Sequence, residues 1–251
     1  MKGTAGSREI EIRIGTSGWQ YDHWKEVFYP DSIDKKAWFG YYADIFDTVE
    51  INNTFYNLPS KQTFDSWREK APPGFRYTLK YSRYGTHLKR LKDPEDHIST
   101  FLDRAERLKS FMGPILVQLR PDWKANTRRL KRFLRAAPSR CRWAIELRDS
   151  SWLCEETYNI LREHNAALVQ HDMIDNHPEI ATADWVYLRF HGPGEDRYTG
   201  RYTDEMLSKI AGRIFGYAAD GLDVYVYFNN DQSGYAPDNA LALQEQVKNK
   251  I

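Results

Sequence analysis

The chain has 251 residues, 36 basic against 35 acidic side chains for a formal charge of +1, 41% hydrophobic residues and 14% aromatic ones. That length buries a large core without a disulfide framework; Cys141 and Cys154 lie too far apart for a CxxC motif, and two cysteines in a chain this size suggest a reducing compartment or no redox role at all. No apolar run approaches the ~18 residues of a membrane span, Met1–Glu9 lacks the apolar stretch of a signal peptide, and the balanced charge excludes a globally polycationic nucleic-acid binder; a cytoplasmic protein with no membrane partner is expected.

The predicted elements alternate along the chain. After a flexible tail over 1–9, strands are expected at 11–16, 47–52, 76–80, 114–119, 143–148, 167–172, 185–190 and 223–229. Amphipathic helical spacing marks Ser32–Phe46, Asp96–Phe111, Thr127–Ala137, Glu155–His164 and Asp204–Ala219. The connection Asp172–Trp185 is short and holds His177-Pro178, so the sixth helix is expected to shrink to a turn. Three Pro- or Gly-bearing loops stand out: Gly15–Pro30, Gly192–Gly200 and Asn229–Pro237. Eight strands with intervening helices in one chain of this size predict a single α/β domain over 10–251, a (β/α)8 TIM barrel, rather than a doubly wound open sheet.

Period-2 alternation separates two faces in these strands. Val49 and Ile51 alternate with Glu50 and Asn52, Ile145 and Leu147 with Glu146 and Arg148, Leu188 and Phe190 with Arg189 and His191, and Val226 and Phe228 with Tyr227 and Asn229. Leu79 adjoins Lys80, and Val117 and Leu119 flank Gln118. The polar positions fall at the C-terminal strand ends, where TIM barrels carry their sites. With Ser17 after the first strand they form one candidate set: Ser17, Glu50, Asn52, Lys80, Gln118, Glu146, Arg148, Arg189, His191 and Asn229. A purely structural ion-pair network filling the mouth is the plainer alternative.

The stretches GTSGWQYDHW (15–24), FYP (28–30), TVEINNTFY (48–56), GFRYTLK (74–80), TH (86–87), ILVQL (115–119), AIELRDSSW (144–152), VYLRFHG (186–192) and YFNND (227–231), with Ala236-Pro237 and Asn239-Ala240, span nearly the whole chain. Together they resemble the YecE-like family, a domain of unknown function. The resemblance implies a TIM barrel and supplies no reaction. Asp149, where a His is expected after Arg148, and Arg120-Pro121 depart from the family pattern.

The leading functional expectation is a hydrolase or lyase acting on an anionic substrate that carries phosphate or sugar. Lys80, Arg148 and Arg189 would hold the anion, Glu50 and Glu146 would exchange protons, His191 would carry a proton, and Asn52 and Asn229 would orient the substrate. A metal-assisted variant would draw on Glu50, Glu146, Asp172 and His191, but the seven histidines are scattered and form no HxH or HExxH. Nucleic-acid binding would use the basic run Lys124, Arg128, Arg129, Lys131, Arg132, Arg135, Arg140 and Arg142, with a second group at Arg83, His87, Lys89, Arg90 and Lys92. A protein that binds a metabolite without turning it over remains a further alternative. Schiff-base chemistry at Lys80 needs a depressed amine pKa, which nearby carboxylates are expected to oppose. No cofactor motif is visible, neither a P-loop nor a Rossmann fingerprint. Trp19, Tyr56 and Trp152 are the aromatics expected to touch ligand, Trp38, Tyr41 and Tyr42 are expected in the core, and Gly15, Gly18 and Gly192 are expected where backbone approaches closely or φ is positive.

Overall fold

The computed structural model describes residues 9–196 and 198–248; the expected tail over 1–9 lies, except for Glu9, outside them. Eight parallel strands, β1 (Ile12–Thr16), β2 (Thr48–Ile51), β3 (Arg76–Lys80), β4 (Met112–Gln118), β5 (Trp143–Glu146), β6 (Ala167–His171), β7 (Trp185–Phe190) and β8 (Asp223–Phe228), lie in the order β1-β8-β7-β6-β5-β4-β3-β2. A parallel bridge between Ser17 and Glu50 joins the two outer strands and closes the ring. The TIM barrel read from the sequence is the fold observed.

Both faces of a barrel strand are covered, so the strands are buried almost throughout, as in the run DVYVYF of β8. Outward residues such as Val49, Ile51, Leu79, Val117, Ile145, Leu188 and Val226 join the large core under the helices. Inward residues form a second cluster of Leu116, Ala144, Ala167, Val169, Trp185, Tyr187, Tyr225 and Tyr227. The barrel interior is therefore filled, and any site must sit at a mouth. At the N-terminal end a cavity of about 650 Å3 is lined in part by Glu11, Arg76, Arg142, Asp223 and Tyr225. Its charges satisfy one another: Arg142 donates to Asp223 at 2.5 Å and to the Tyr225 hydroxyl at 3.1 Å, and that hydroxyl donates to Glu11 at 2.9 Å.

Around the barrel run α1 (Trp38–Ile45), α2 (Asn53–Tyr56), α3 (Lys61–Lys70), α4 (Pro94–Ala105), α5 (Thr127–Ala136), α6 (Glu155–Glu163), α7 (Asp204–Ala219) and α8 (Tyr235–Lys248). Side chains of Ser60, Asn126 and Thr203 cap α3, α5 and α7 by accepting from backbone N–H groups of the first turn. Several boundaries differ from expectation. The helix expected from Ser32 begins at Trp38, and the one expected over 96–111 gives way to a 3-10 segment at Glu106, with Lys109 in the left-handed region at φ 53°. The expected loop Asn229–Pro237 is cut short because Tyr235 opens α8, and α3, which buries only Phe64, has too sparse an apolar stripe to read as a helix. Strand β5 stops at Glu146, which leaves Arg148 on the following loop. No helix occupies 172–184. The Thr182 hydroxyl instead accepts from Leu168 N at 2.8 Å and donates to Ala166 O at 2.7 Å, tying the connection to β6.

Glycine positions expected at tight approaches are found there. A Cβ at Gly15 would lie 2.4 Å from Thr48 O, across the β1–β2 closure, and one at Gly192, where φ is 110°, would lie 1.9 Å from Thr199 O.

Candidate active site at the C-terminal mouth

The C-terminal ends of β2, β3, β5 and β7 place Glu50, Lys80, Glu146 and Arg189 around one centre. Arg189 is fully buried and is the hub. Its Nε and Nη2 donate to the two oxygens of Glu50 at 2.9 and 2.7 Å, and its Nη1 donates to Glu146 Oε2 at 2.7 Å. Glu50 is further held by the Ser17 hydroxyl and by Tyr187, whose hydroxyl donates at 2.5 Å. Glu146 Oε1 accepts from Arg148 Nε. Each buried carboxylate thus faces guanidinium in near-ideal geometry, the arrangement that offsets desolvation.

Burial by itself would raise the Glu50 carboxyl, but the Arg189 charge and the donors on its oxygens outweigh burial and hold it below its ordinary range. Glu146, buried against Arg148 and Arg189, is held well below. Both are fixed as carboxylates. Glu50, with four donors on two oxygens, has no acceptor capacity left for a substrate; Glu146 retains some.

His191 is oriented from both sides. Asp172 accepts from its Nδ1 at 2.8 Å and from its backbone N–H at 2.9 and 3.0 Å. Nε2 faces N–H donors of Arg189 at 2.9 Å and Arg148 at 3.1 Å, so it must be the acceptor, and the ring is neutral with the proton on Nδ1. Burial, and Arg189 against the pull of Asp172, lower its pKa. Tyr202 donates to the same Asp172 carboxylate. The neighbouring His171 is also neutral: its Nε2–H donates to Leu147 O at 2.7 Å, while Nδ1 accepts from Met173 N.

Lys80 differs from every other charge in this network. It is only 9% exposed, yet among the described residues its ammonium has no hydrogen-bond or ion-pair partner; it lies over the Phe55 ring at 4.6 Å. Burial, then Arg189, push its pKa down to about 8, against the pull of Glu146 and Glu50. The carboxylates pull this pKa up as expected, but burial and Arg189 outweigh them and the net shift is downward. Both glutamates are already neutralised by arginines, so burial decides. His87, whose ring packs edge-on to Phe55 at 5.0 Å, is lowered to about 4 by burial and then by Lys80, Arg120, Arg83 and Arg148. This side of the mouth is electropositive.

The remaining polar candidates are half-buried at the rim. Gln118 Oε1 lies 3.5 Å from Arg148 Nη2, Asn229 follows β8, and Asn52 keeps a buried Oδ1 with no hydrogen-bond partner. Two of the three aromatics expected at the ligand pack the loops instead. Trp19 turns outward and packs on Phe39 and Trp67 at centroid distances of 5.6 and 6.3 Å, because the tight turn at Gly18 sends the chain toward α1 and α3. Trp152 is fully buried under its loop, donating to Trp123 O at 2.7 Å. Tyr56 is 70% exposed and stands outside Phe55. Phe55 is the aromatic that reaches Lys80; Tyr187 and Asp172 are the other residues of the site that strand alternation missed or assigned otherwise. Trp38 and Tyr42 are core as expected.

The candidate metal donors do not converge. Among the described residues no group of three or more His, Cys, Asp or Glu side chains is placed to hold an ion; Glu50 and Glu146 face arginines, and His191 faces Asp172. The basic run on and around α5 is largely neutralised: Lys124 pairs with Asp149, Lys131 with Glu163, Arg132 with Asp93 and Glu95, Arg140 with Glu106 and Arg142 with Asp223. Among the described residues no helix is long and apolar enough to cross a membrane.

A closed parallel barrel whose C-terminal mouth gathers a buried charged network defines a TIM-barrel protein. The chain belongs to the family described as "Protein of unknown function DUF72", whose family model matches residues 13–251. The UPF0759 protein YecE of Escherichia coli (strain K12) is 26% identical over 170 residues, 66% of this chain and 60% of YecE's own length. The UPF0759 protein YunF of Bacillus subtilis (strain 168) is 23% identical over 93% of this chain and 94% of YunF. Among solved structures, a DUF72 family protein from Thermotoga maritima superposes with a TM-score of 0.85 at 30% identity, covering 95% of this chain and 99% of that one. A D-psicose 3-epimerase at 11% identity and a TM-score of 0.56 shares the fold.

Proposed function

We propose that the C-terminal mouth is an acid/base active site for a small substrate bearing a phosphate or carboxylate, in a hydrolytic or lyase-type reaction. The observation that carries this reading is the unpaired Lys80 cation. Glu50 and Glu146 pair with Arg189 and Arg148, and Asp172 with the neutral His191, so Lys80 is the cation that none of the three carboxylates contacts. An unpaired buried cation in an otherwise saturated network is costly, and an anionic ligand would remove that cost. Arg148, on the loop beyond β5, is anchored through Nε to Glu146 and through Nη2 to His191, with a long contact to Gln118, so it would meet the substrate without leaving the network. Lys80 exchanges the proton, since about 8 is close enough to neutral pH for both of its forms to be populated. Glu50 positions Arg189; Asn52, with its orphaned carbonyl, Gln118 and Asn229 orient the substrate.

The test begins with inorganic phosphate titrated calorimetrically, followed by NMR detection of products from a panel of phosphate monoesters and sugar phosphates. Saturable phosphate binding and turnover should both be lost in Lys80→Met, and the wild-type rate should carry a pH limb near 8. A Lys80→Met protein that binds phosphate and turns over as the wild type does would sink the proposal.

A further inference from the structure

Resting on the anion-binding reading above, we propose that Lys80 is also a carbonyl-capturing nucleophile, condensing with the aldehyde or ketone of an anion-bearing substrate to form an imine. The geometry supplies three requirements of that chemistry together. The amine is not tied up: among the described residues no side chain or backbone group bonds to its nitrogen, whereas Lys25, Lys35, Lys61, Lys124, Lys131 and Lys209 each pair with a carboxylate. It is enclosed, at 9% exposure and with the Phe55 face 4.6 Å away, so water competes poorly for the carbonyl carbon. An anion handle stands beside it, formed by Arg148 and the cationic flank beside His87. A guanidinium could hold the anion as well, but only a lysine can shed its proton and attack.

The carboxylates that would normally clamp such an ammonium are the ones Arg189 and Arg148 have already taken. This explains why a network with two buried glutamates leaves its lysine able to lose a proton, and the lowered pKa agrees with the geometry. The step balances without a redox partner. The neutral amine nitrogen bonds to the carbonyl carbon while the C=O π electrons move to oxygen, which takes a proton. The nitrogen lone pair then expels that oxygen, which leaves as water with a second proton, and the nitrogen gives up the two protons it carried, leaving a C=N bond. Hydrolysis runs the same steps in reverse, so one carbonyl and one amine yield one imine and one water.

The experiment treats the whole protein with glycolaldehyde phosphate or with neutral glycolaldehyde, adds cyanoborohydride and maps reduced adducts by peptide mass spectrometry. Lys80 should be modified at least tenfold faster than any surface lysine at neutral pH, with a rate rising through about 8, and phosphate should protect it from the phosphorylated aldehyde. A Lys80→Arg protein, which keeps the charge, should lose that adduct. Adducts spread evenly over surface lysines, with phosphate binding intact, would overturn the imine while leaving the anion site standing. Rapid Lys80 labelling by both aldehydes with no phosphate protection would support the nucleophile and overturn the anion reading beneath it.

Discussion

Glu50 and Lys80 sit at the ends of adjacent strands, and burial acts on them with opposite consequences. Glu50 is charged and saturated, so neutralising it leaves Arg189 buried with half its partners. Glu50→Gln is expected to lower unfolding stability by on the order of 3 kcal/mol, the usual cost of breaking one side of a buried pair. Lys80 is charged and unpaired, and its pKa in the fold, about 8, lies well below the ordinary lysine value of 10.5. At about 1.4 kcal/mol per unit, its ammonium costs the fold on the order of 3 kcal/mol at neutral pH. Lys80→Met is therefore expected to stabilise the protein by up to that amount. Urea unfolding of both variants at pH 7 checks the pair. A Glu50→Gln protein as stable as the wild type, or a Lys80→Met protein less stable than it, would contradict the assignment of one as anchor and the other as strained group.

At the scale of elements, the connection between β6 and β7 lacks a helix, and strand pairing between β5 and β6 is confined to Ala144↔Ala167 and Ile145↔Leu168. Thr182, buried at 4% exposure, compensates through its two backbone bonds to Ala166 and Leu168. Thr182→Val keeps the shape and removes both bonds, leaving a buried N–H unpaired; the expected loss is about 1–3 kcal/mol. Hydrogen exchange should quicken in β6 and over 172–184 while β2 and β3 stay protected, and unchanged protection in β6 would show that another group holds this segment. The strands were legible because their period of two is strict and buried on both sides, and the same period placed Glu50, Glu146, Arg189 and His191 on the inner face. What followed the strands was not legible. Beyond the last ladder bond no fixed period says where a side chain points, so Trp19 and Trp152 turned away from the mouth while Phe55, a neighbour of the expected Tyr56, turned into it. The fate of Lys80 was also hidden, because which carboxylate a cation obtains depends on competition with Arg189, which is far away in sequence.

Over the whole molecule, the barrel carries ionic plugs at both mouths, buried at the C-terminal end and half-buried at the N-terminal one, and an apolar, tyrosine-rich middle, where the Tyr227 hydroxyl bonds to Thr48 and Thr78 at 2.6 and 2.7 Å. Its stability should therefore follow the protonation of those plugs. His87 and His177 are lowered from 6.5 to about 4, chiefly by burial, and His171 and His191 are lowered as well. Each binds its proton more readily unfolded than folded, so each contributes stability that is complete above the unfolded value and is lost as pH falls through the folded one. Glu50 and Glu146, lowered from 4.5, and Asp172, lowered from 3.8, act in the same direction at lower pH. Asp231, raised to about 6 by burial, and Asp47, also raised by burial, oppose them, since they gain protons more readily when folded. Four histidines outweigh two aspartates in the upper window. The urea midpoint is accordingly expected to fall from about pH 6.5 and to fall more steeply below 4.5, where the glutamates that hold Arg189 begin to protonate in the unfolded chain. A midpoint that stays flat down to pH 4.5 would mean that the buried histidines are protonated in the fold, and the neutral His191 inferred from its two arginine neighbours would have to be abandoned.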